Sequence, residues 1–385
     1  MKILVYRWDI YPYDDIIMTL TKQGHLVDVL AFPIANHIKD SAFEEAFLNK
    51  IHAGAGYDLV FSLNYYAVIG TICNNLGIPY ASWTLDSPLL SLQHSSIFFP
   101  HNYIFLFDYK EYTVLRQKGV PHAYYLPLAG IQLDATYELT VEPSFDYEIS
   151  FVGTLYDKNR YDEMCQHLPD YLCGYMDAAL EAQRNVSGGN LLSEMLNDEI
   201  LTALSQYATV CNGTSSLEEL RMHFATSVLS YKSAADARIE ALNALALTHD
   251  VHLFTTSKGE QLHKVHIHPA AQYHTEMPYI FHHSKINLNL TIPNIENGIP
   301  LRTFDILASG GFLLTDYREE VCKQFENGKE LVVFDGIKDL INKTEYYLTH
   351  PEERIQIARN GQKKVQQLHQ YKNRLTEILH TVFNL

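Results

Sequence analysis

The 385-residue chain has no Cys-x-x-Cys pair, no Asp-x-Asp pair and no apolar run long enough to span a bilayer. Its five cysteines (Cys73, Cys165, Cys173, Cys211 and Cys322) are odd in number and scattered, which argues against a disulfide framework and fits free thiols in a reducing compartment. Basic residues are scarce: 29 Lys and Arg stand against 45 Asp and Glu, for a formal net charge of −16. That balance argues against the basic face of a nucleic-acid binder and against broad docking on anionic lipid. It leaves room for an anionic ligand, because a local pocket of N–H groups and arginine can hold one inside an acidic protein. The opening run Met1–Arg7 is apolar and ends in a charge; it is too short for a signal peptide and reads as a first core strand. A cytoplasmic protein without a transmembrane segment is expected, and the Asn-x-Ser/Thr triplets at Asn185, Asn212, Asn289 and Asn342 then carry no glycan.

Hydrophobic residues make up 47% and charged residues 19%, the composition of a globular chain too long for one core. Apolar runs at 2–6, 26–30, 57–62, 79–83, 103–107 and 123–126 alternate with helical stretches at about 13–23, 66–76 and 109–118. Gly24 and Gly77 end the first two of those helices. Such repeated β–α steps with short connections imply a mostly parallel sheet. A second unit opens with Tyr147–Gly153, a strand running into a glycine turn. Residues 158–247 then break the alternation: Leu, Met and Ala recur at helical spacing, predicting a helical insertion. Strands resume at 251–255, 286–290, 312–315 and 331–334, and residues 351–384 read as helical. The expectation is an α/β chain with an N-terminal domain at 1–135, a C-terminal domain at 146–367, and a last helix, about 368–385, that packs back on the first. Two such sheets would leave a cleft at their carboxyl ends, the edge where open α/β sheets bind ligands.

The most informative stretch is Asn294-Ile-Glu-Asn-Gly-Ile-Pro-Leu-Arg-Thr-Phe-Asp-Ile-Leu-Ala-Ser-Gly-Gly311. It reads as a loop, a short helix opened by Pro300 and closed by Gly310-Gly311, and then a buried strand. Free N–H groups at the helix start make an anion site, Arg302 adds a fork of donors, and Asp305 lies one turn on. A diphosphate at the helix mouth and a diol on the carboxylate fit that layout, and nucleotide-sugars carry both. An ordinary capped helix would account for the caps, though not for Arg302 and Asp305 among Leu301, Phe304, Ile306 and Leu307.

Together with Phe-Val-Gly-Thr154, Ser284–Thr291 and Tyr346–Arg354, this stretch resembles the CgeB-like (spore-maturation-protein-like) glycosyltransferases of glycosyltransferase group 1. In the N-terminal part, Trp83–Pro88, Phe105–Asp108 and Tyr125–Ala129 are similar too, so the resemblance covers nearly the whole chain outside the insertion. It implies a GT-B fold: two Rossmann-like domains facing across a cleft, the second holding the nucleotide-sugar and the first admitting the acceptor. Group 1 enzymes usually carry two glutamates eight positions apart around this helix; here Glu296 and Asp305 are nine apart and the second acid is Asp. Asp305 keeps its offset of five from Gly310, so the ribose-binding role is carried to it, while Glu296 is out of register. Asn297, Gly298, Leu301, Arg302 and Thr303 complete the expected donor-binding run.

In a domain of that kind Gly153-Thr154 would let the backbone approach a phosphate or the sugar. Lys158 and Arg160 are the nearest cations, either on a solvated turn or on phosphate. Asn287 and Asn289 share one face of a core strand and need partners, in the adjacent loop or on the sugar. Tyr273 is a candidate for stacking on the base or an ordinary core aromatic. Asp86, directly after a strand and before Pro88, is the candidate general base, with a turn cap as the structural alternative. Asp9, Asp14, His94 and His101 are rivals. His263, His266, His268, His282 and His283 cluster without the spacing of a helical His-Glu-x-x-His site. With no Asp-x-Asp pair either, neither a metal nor another cofactor is expected.

The expected activity is therefore a metal-independent, hexosyltransferase-type transfer from a nucleotide-diphosphate-sugar to a hydroxyl on a glycan, protein or small molecule. A nucleotide-sugar epimerase, a sugar phosphorylase and a non-catalytic nucleotide-sugar-binding protein are the alternatives.

Overall fold

The computed structural model describes residues 1–54, 56–133, 144–207 and 216–385. It divides into two compact units, one made of Met1–Asp134, Gly298–Ala308 and Lys364–Leu385, the other of Ala135–Asn297 and Ser309–Lys363. The stretch between the two expected domains, residues 136–145, lies mostly outside the described residues, as do Cys211 and Asn212.

The first unit holds six parallel strands: β1 (Lys2–Tyr6), β2 (Leu26–Leu30), β3 (Leu59–Leu63), β4 (Tyr80–Trp83), β5 (Asn102–Leu106) and β6 (Ala123–Tyr125). Their spatial order is β2-β1-β3-β4-β5-β6. Strand β3 is buried along its whole length, as expected for a central strand covered on both faces. The helix Ala67–Leu76 ends at Gly77, whose φ of +68° is the left-handed exit that an L side chain resists. The C-terminal helix Tyr371–Phe383 belongs to this unit. Gln23 Nε2 donates to Thr376 Oγ1 at 2.9 Å, Arg374 Nε donates to the Leu128 carbonyl at 3.2 Å, and Tyr371 meets Trp83 edge-on at 6.1 Å.

In the second unit, β7 (Tyr147–Val152), β8 (Val251–Phe254), β9 (His266–His268), β10 (Ser284–Asn289), β11 (Leu313–Asp316) and β12 (Val332–Phe334) pair in parallel. The order is β12-β11-β10-β7-β8-β9, so the chain reverses direction across the sheet between β7 and β10. Strand β9 has no sequence signal of its own: three residues, two of them histidine, at an edge. Between β7 and β8 the described residues are helical, with a separate core of Leu172, Met176, Leu201, Leu204 and Phe224. Each such side chain, fully buried, contributes about 1.5–3 kcal/mol. One turn of this insertion, Phe224–Leu229, is a π-helix running into the long helix Ser230–Leu245.

Candidate functional site

In the second unit the chain reversal puts the ends of β7 and β10 side by side, the place where open parallel sheets take ligands. Gly153-Thr154 follows β7, and Leu290-Thr291 follows β10. A Cβ on Gly153 would meet only the Phe151 ring, at an ordinary 3.5 Å, so internal packing does not demand the glycine. Thr154 Oγ1 lies 3.1 Å from Ser257 Oγ and accepts from the Tyr156 N–H at 3.2 Å. Tyr156 has φ +55°, a conformation that costs a bulky residue of order 1–3 kcal/mol.

Sequence reading missed what holds this edge together. Arg238, buried on the Ser230–Leu245 helix, donates to the Thr154 carbonyl at 2.6 Å and to the Leu290 carbonyl at 2.8 Å. Its guanidinium lies 4.7 Å from the Tyr156 ring and 5.3 Å from that of Phe151. One cation thus ties the ends of β7 and β10. A second buried guanidinium, Arg318, donates to Asp316 Oδ2 at 3.1 Å, to the Ile295 carbonyl at 2.7 Å and to the Thr291 carbonyl at 3.2 Å. Asp316 Oδ1 in turn accepts from the N–H and hydroxyl of Thr291 at 2.9 and 2.7 Å. Asn294 Nδ2 donates to Thr226 O in the π-turn at 3.2 Å, so the loop 291–297 is fixed from both the sheet and the insertion. No periodicity marks Arg238, because a buried charge inside an Ala-rich helix looks like a solvated one.

The asparagines on β10 act within the sheet. Asn287 Oδ1 accepts from Ser150 Oγ at 2.9 Å, and Nδ2 donates to the carbonyls of Phe281 and Phe312 at 2.9 and 3.2 Å. Asn289 Nδ2 donates to the hydroxyls of Thr291 and Thr315 at 3.2 and 3.0 Å. Of the two readings open for them, strand and loop support is the one the geometry fills. Of the two readings open for Tyr273, its packing matches the core aromatic: it is 3% exposed, with its ring edge-on to His274 at 4.9 Å. Arg160 is exposed at the start of the helix Arg160–Cys165. Asn297 Nδ2 reaches Glu319 Oε2 at 3.4 Å.

In the first unit the helix Leu301–Ala308 follows Pro300, and Thr303 N–H donates to the Pro300 carbonyl at 3.0 Å. Leu301 and Arg302 are half-buried, Thr303 fully buried. Gly298 forms an antiparallel bridge with Asp108. Arg302 Nη1 donates to Asp305 Oδ2 at 3.3 Å. Asp305 is 1% exposed, and its Oδ1 accepts from the Ile131 N–H at 3.1 Å. A carboxylate so buried needs donors, and Ile131 and Arg302 supply them, so Asp305 anchors the segment after β6.

Asp86 is exposed at the carboxyl end of β4. Its Oδ2 accepts from Asn64 Nδ2 at 2.7 Å, while Asn64 Oδ1 takes the N–H groups of Leu85 and Asp86 at 2.8 and 3.2 Å. Asn64, with φ +61° at the end of β3, therefore aims the carboxylate. Nearby, Glu111 accepts from the Leu89 N–H at 3.0 Å. Burial, with the Asp108 and Asp86 carboxylates, pushes its carboxyl up to about 8 against that hydrogen bond. In sequence it stands three residues after the helix cap Asp108, where an acid reads as capping. Of the histidine clusters, His266 and His268 join His252 and Asp250. His252 Nδ1 lies 2.9 Å from His268 Nε2, and Asp250 takes His252 and His266 at 3.0 and 2.9 Å. Among the described residues no group of three His, Cys, Asp or Glu is arranged to hold a metal ion. Among the same residues no helix is long and apolar enough to cross a membrane.

With this geometry in view, two six-stranded parallel sheets with their helices define the GT-B fold. HepE from Anabaena, solved with UDP-glucose, is similar over 100% of both chains at 12% identity, with a TM-score of 0.54. A sucrose-phosphate synthase from Thermosynechococcus elongatus is similar over 100% of this chain and 99% of its own, at 11% identity and a TM-score of 0.53. A glycosyltransferase from Rickettsia africae matches over 100% and 98%, at 8% identity and 0.51. In sequence, residues 236–380 match the glycosyl transferase-like family. No curated protein matches the chain.

Proposed function

We propose that this protein is a glycosyltransferase of the CgeB-like kind, moving a hexose from a nucleoside-diphosphate-sugar to a hydroxyl acceptor without a metal ion. The observation that carries the reading is the edge of the second sheet. Its chain reversal is fixed by Arg238 and Arg318, next to an unencumbered Gly153, and most of it lies in the stretch that matches the glycosyl transferase-like family. The solution of HepE with UDP-glucose on this fold supports a nucleotide-sugar as the donor.

Arg302 and the N–H groups of the first turn of the Leu301–Ala308 helix meet the diphosphate. Fixed donors aimed at the developing leaving-group charge contribute about 2.7–4 kcal/mol each. Gly153-Thr154 frames the reacting sugar. Asp86, aimed by Asn64, takes the acceptor proton as the new glycosidic C–O bond forms and the bond to the diphosphate breaks. The test is product analysis after incubation with UDP-, GDP-, dTDP- and ADP-sugars, chelator present, with and without acceptor alcohols. Transfer in chelator supports the reading. Epimer formation without acceptor, or turnover only with inorganic phosphate, replaces it with an isomerase or a phosphorylase.

A further inference from the structure

A half-open pocket with a volume of about 160 Å³ lies in the second unit, between the insertion helices Asp170–Arg184 and Ser230–Leu245 and the ends of β10, β11 and β12. An apolar cavity of about 150 Å³ takes one benzene, so this volume suits a single six-membered ring. The charges on its wall cancel: Arg184 and Arg318 against Glu240 and Asp316. Both arginines are already engaged, Arg184 with Asp236 at 3.2 Å and Arg318 with Asp316 at 3.1 Å. A phosphate would find no uncommitted cation there.

What remains for a ligand is polar and uncharged in its demands. Buried Ser233 and the exposed Glu240 and Tyr317 line the pocket, and among the described residues none of these three side chains is hydrogen-bonded within the protein. A carboxylate can accept from two neighbouring hydroxyls at once, and a hydroxyl both donates and accepts. The Tyr317 ring is 38% exposed and is set by close packing on Gly188, where a Cβ would stand 2.9 Å from its Cδ1. An aromatic face beside a carboxylate matches the C–H face and hydroxyl edge of a pyranose.

We infer that this pocket is a subsite for one neutral sugar ring of a saccharide ligand, seated between the insertion and the ends of β10–β12. The binding of a sugar ring there does not depend on the transferase reading. The experiment uses the full chain and saturation-transfer NMR with the methyl glycosides of glucose, galactose and N-acetylglucosamine. Affinities are titrated in the wild type, Ala237→Phe, which fills the cavity from an exposed helix position, and Glu240→Ala. UDP and inorganic phosphate serve as comparison ligands. At least one glycoside should bind the wild type and weaken tenfold or more in both variants, with UDP affinity and melting temperature unchanged. The inference is overturned if no glycoside binds, if the variants bind as the wild type does, or if inorganic phosphate displaces the glycoside. Failure of the wild type to bind any nucleoside diphosphate would instead remove the transferase reading, leaving the sugar result to stand on its own.

Discussion

Replacing Arg238 with methionine keeps most of the stem volume and deletes the guanidinium that joins β7 to β10. The wild-type side chain makes two charge-assisted hydrogen bonds, to Thr154 O at 2.6 Å and Leu290 O at 2.8 Å. Each contributes about 1.5–3 kcal/mol. It also faces two aromatic rings, worth about 0.5–2 kcal/mol apiece. Against this stands the cost of burying a cation, several kcal/mol, which methionine does not bear. The balance is a loss of about 3 kcal/mol. For a urea slope of about 3 kcal/mol/M, the unfolding midpoint should fall by about 1 M. Arg238→Lys, a point charge on a shorter reach, should restore at most one of the two bonds and about half of the loss. The pair is buried, so the loss should persist in 0.5 M salt. A midpoint change corresponding to less than about 1 kcal/mol in Arg238→Met would refute the clamp.

Arg302→Ala should lower transfer by about 10²-fold or more, the scale of one lost donor to leaving-group charge, with the melting temperature reduced by only a few degrees; wild-type turnover would end the diphosphate assignment. Glu111 carries a pH signature: its carboxyl rises from 4.5 to about 8 on folding, so the folded state holds the proton more tightly. Its stabilising share is complete below pH 4.5 and is lost as the pH climbs through 8, and Glu111→Gln should flatten the fall in stability over that window in thermal melts. Gly130→Ala would put a Cβ 2.8 Å from the Phe304 carbonyl and 2.9 Å from Ala308 Cβ, both backbone-bound atoms that cannot swing away; a cost of about 1–3 kcal/mol in urea titration is expected.

The strand list was legible in the sequence because a parallel sheet writes itself as short apolar runs separated by helices of fixed spacing. Gly77 and Gly310 announced helix exits for the same local reason: both sit at positive φ, +68° and +73°. The helical insertion was readable from its periodicity, and the resemblance of the Asn294–Gly311 stretch pointed to the GT-B fold. The edge strand His266–His268 was not readable, since three residues carry no period.

Side-chain roles were decided elsewhere, by burial. Asp305 and Tyr273 look available in the sequence, and only packing shows that one is spent on the Ile131 N–H and the other on the core. Arg238 and Glu111 show the reverse, looking like surface charges on their helices while bonding backbone groups of Thr154, Leu290 and Leu89, far along the chain. Backbone preference acts over a few residues and so is written locally. Whether a polar group faces water, a carbonyl or a ligand depends on residues a hundred positions away, and only the folded chain brings them together.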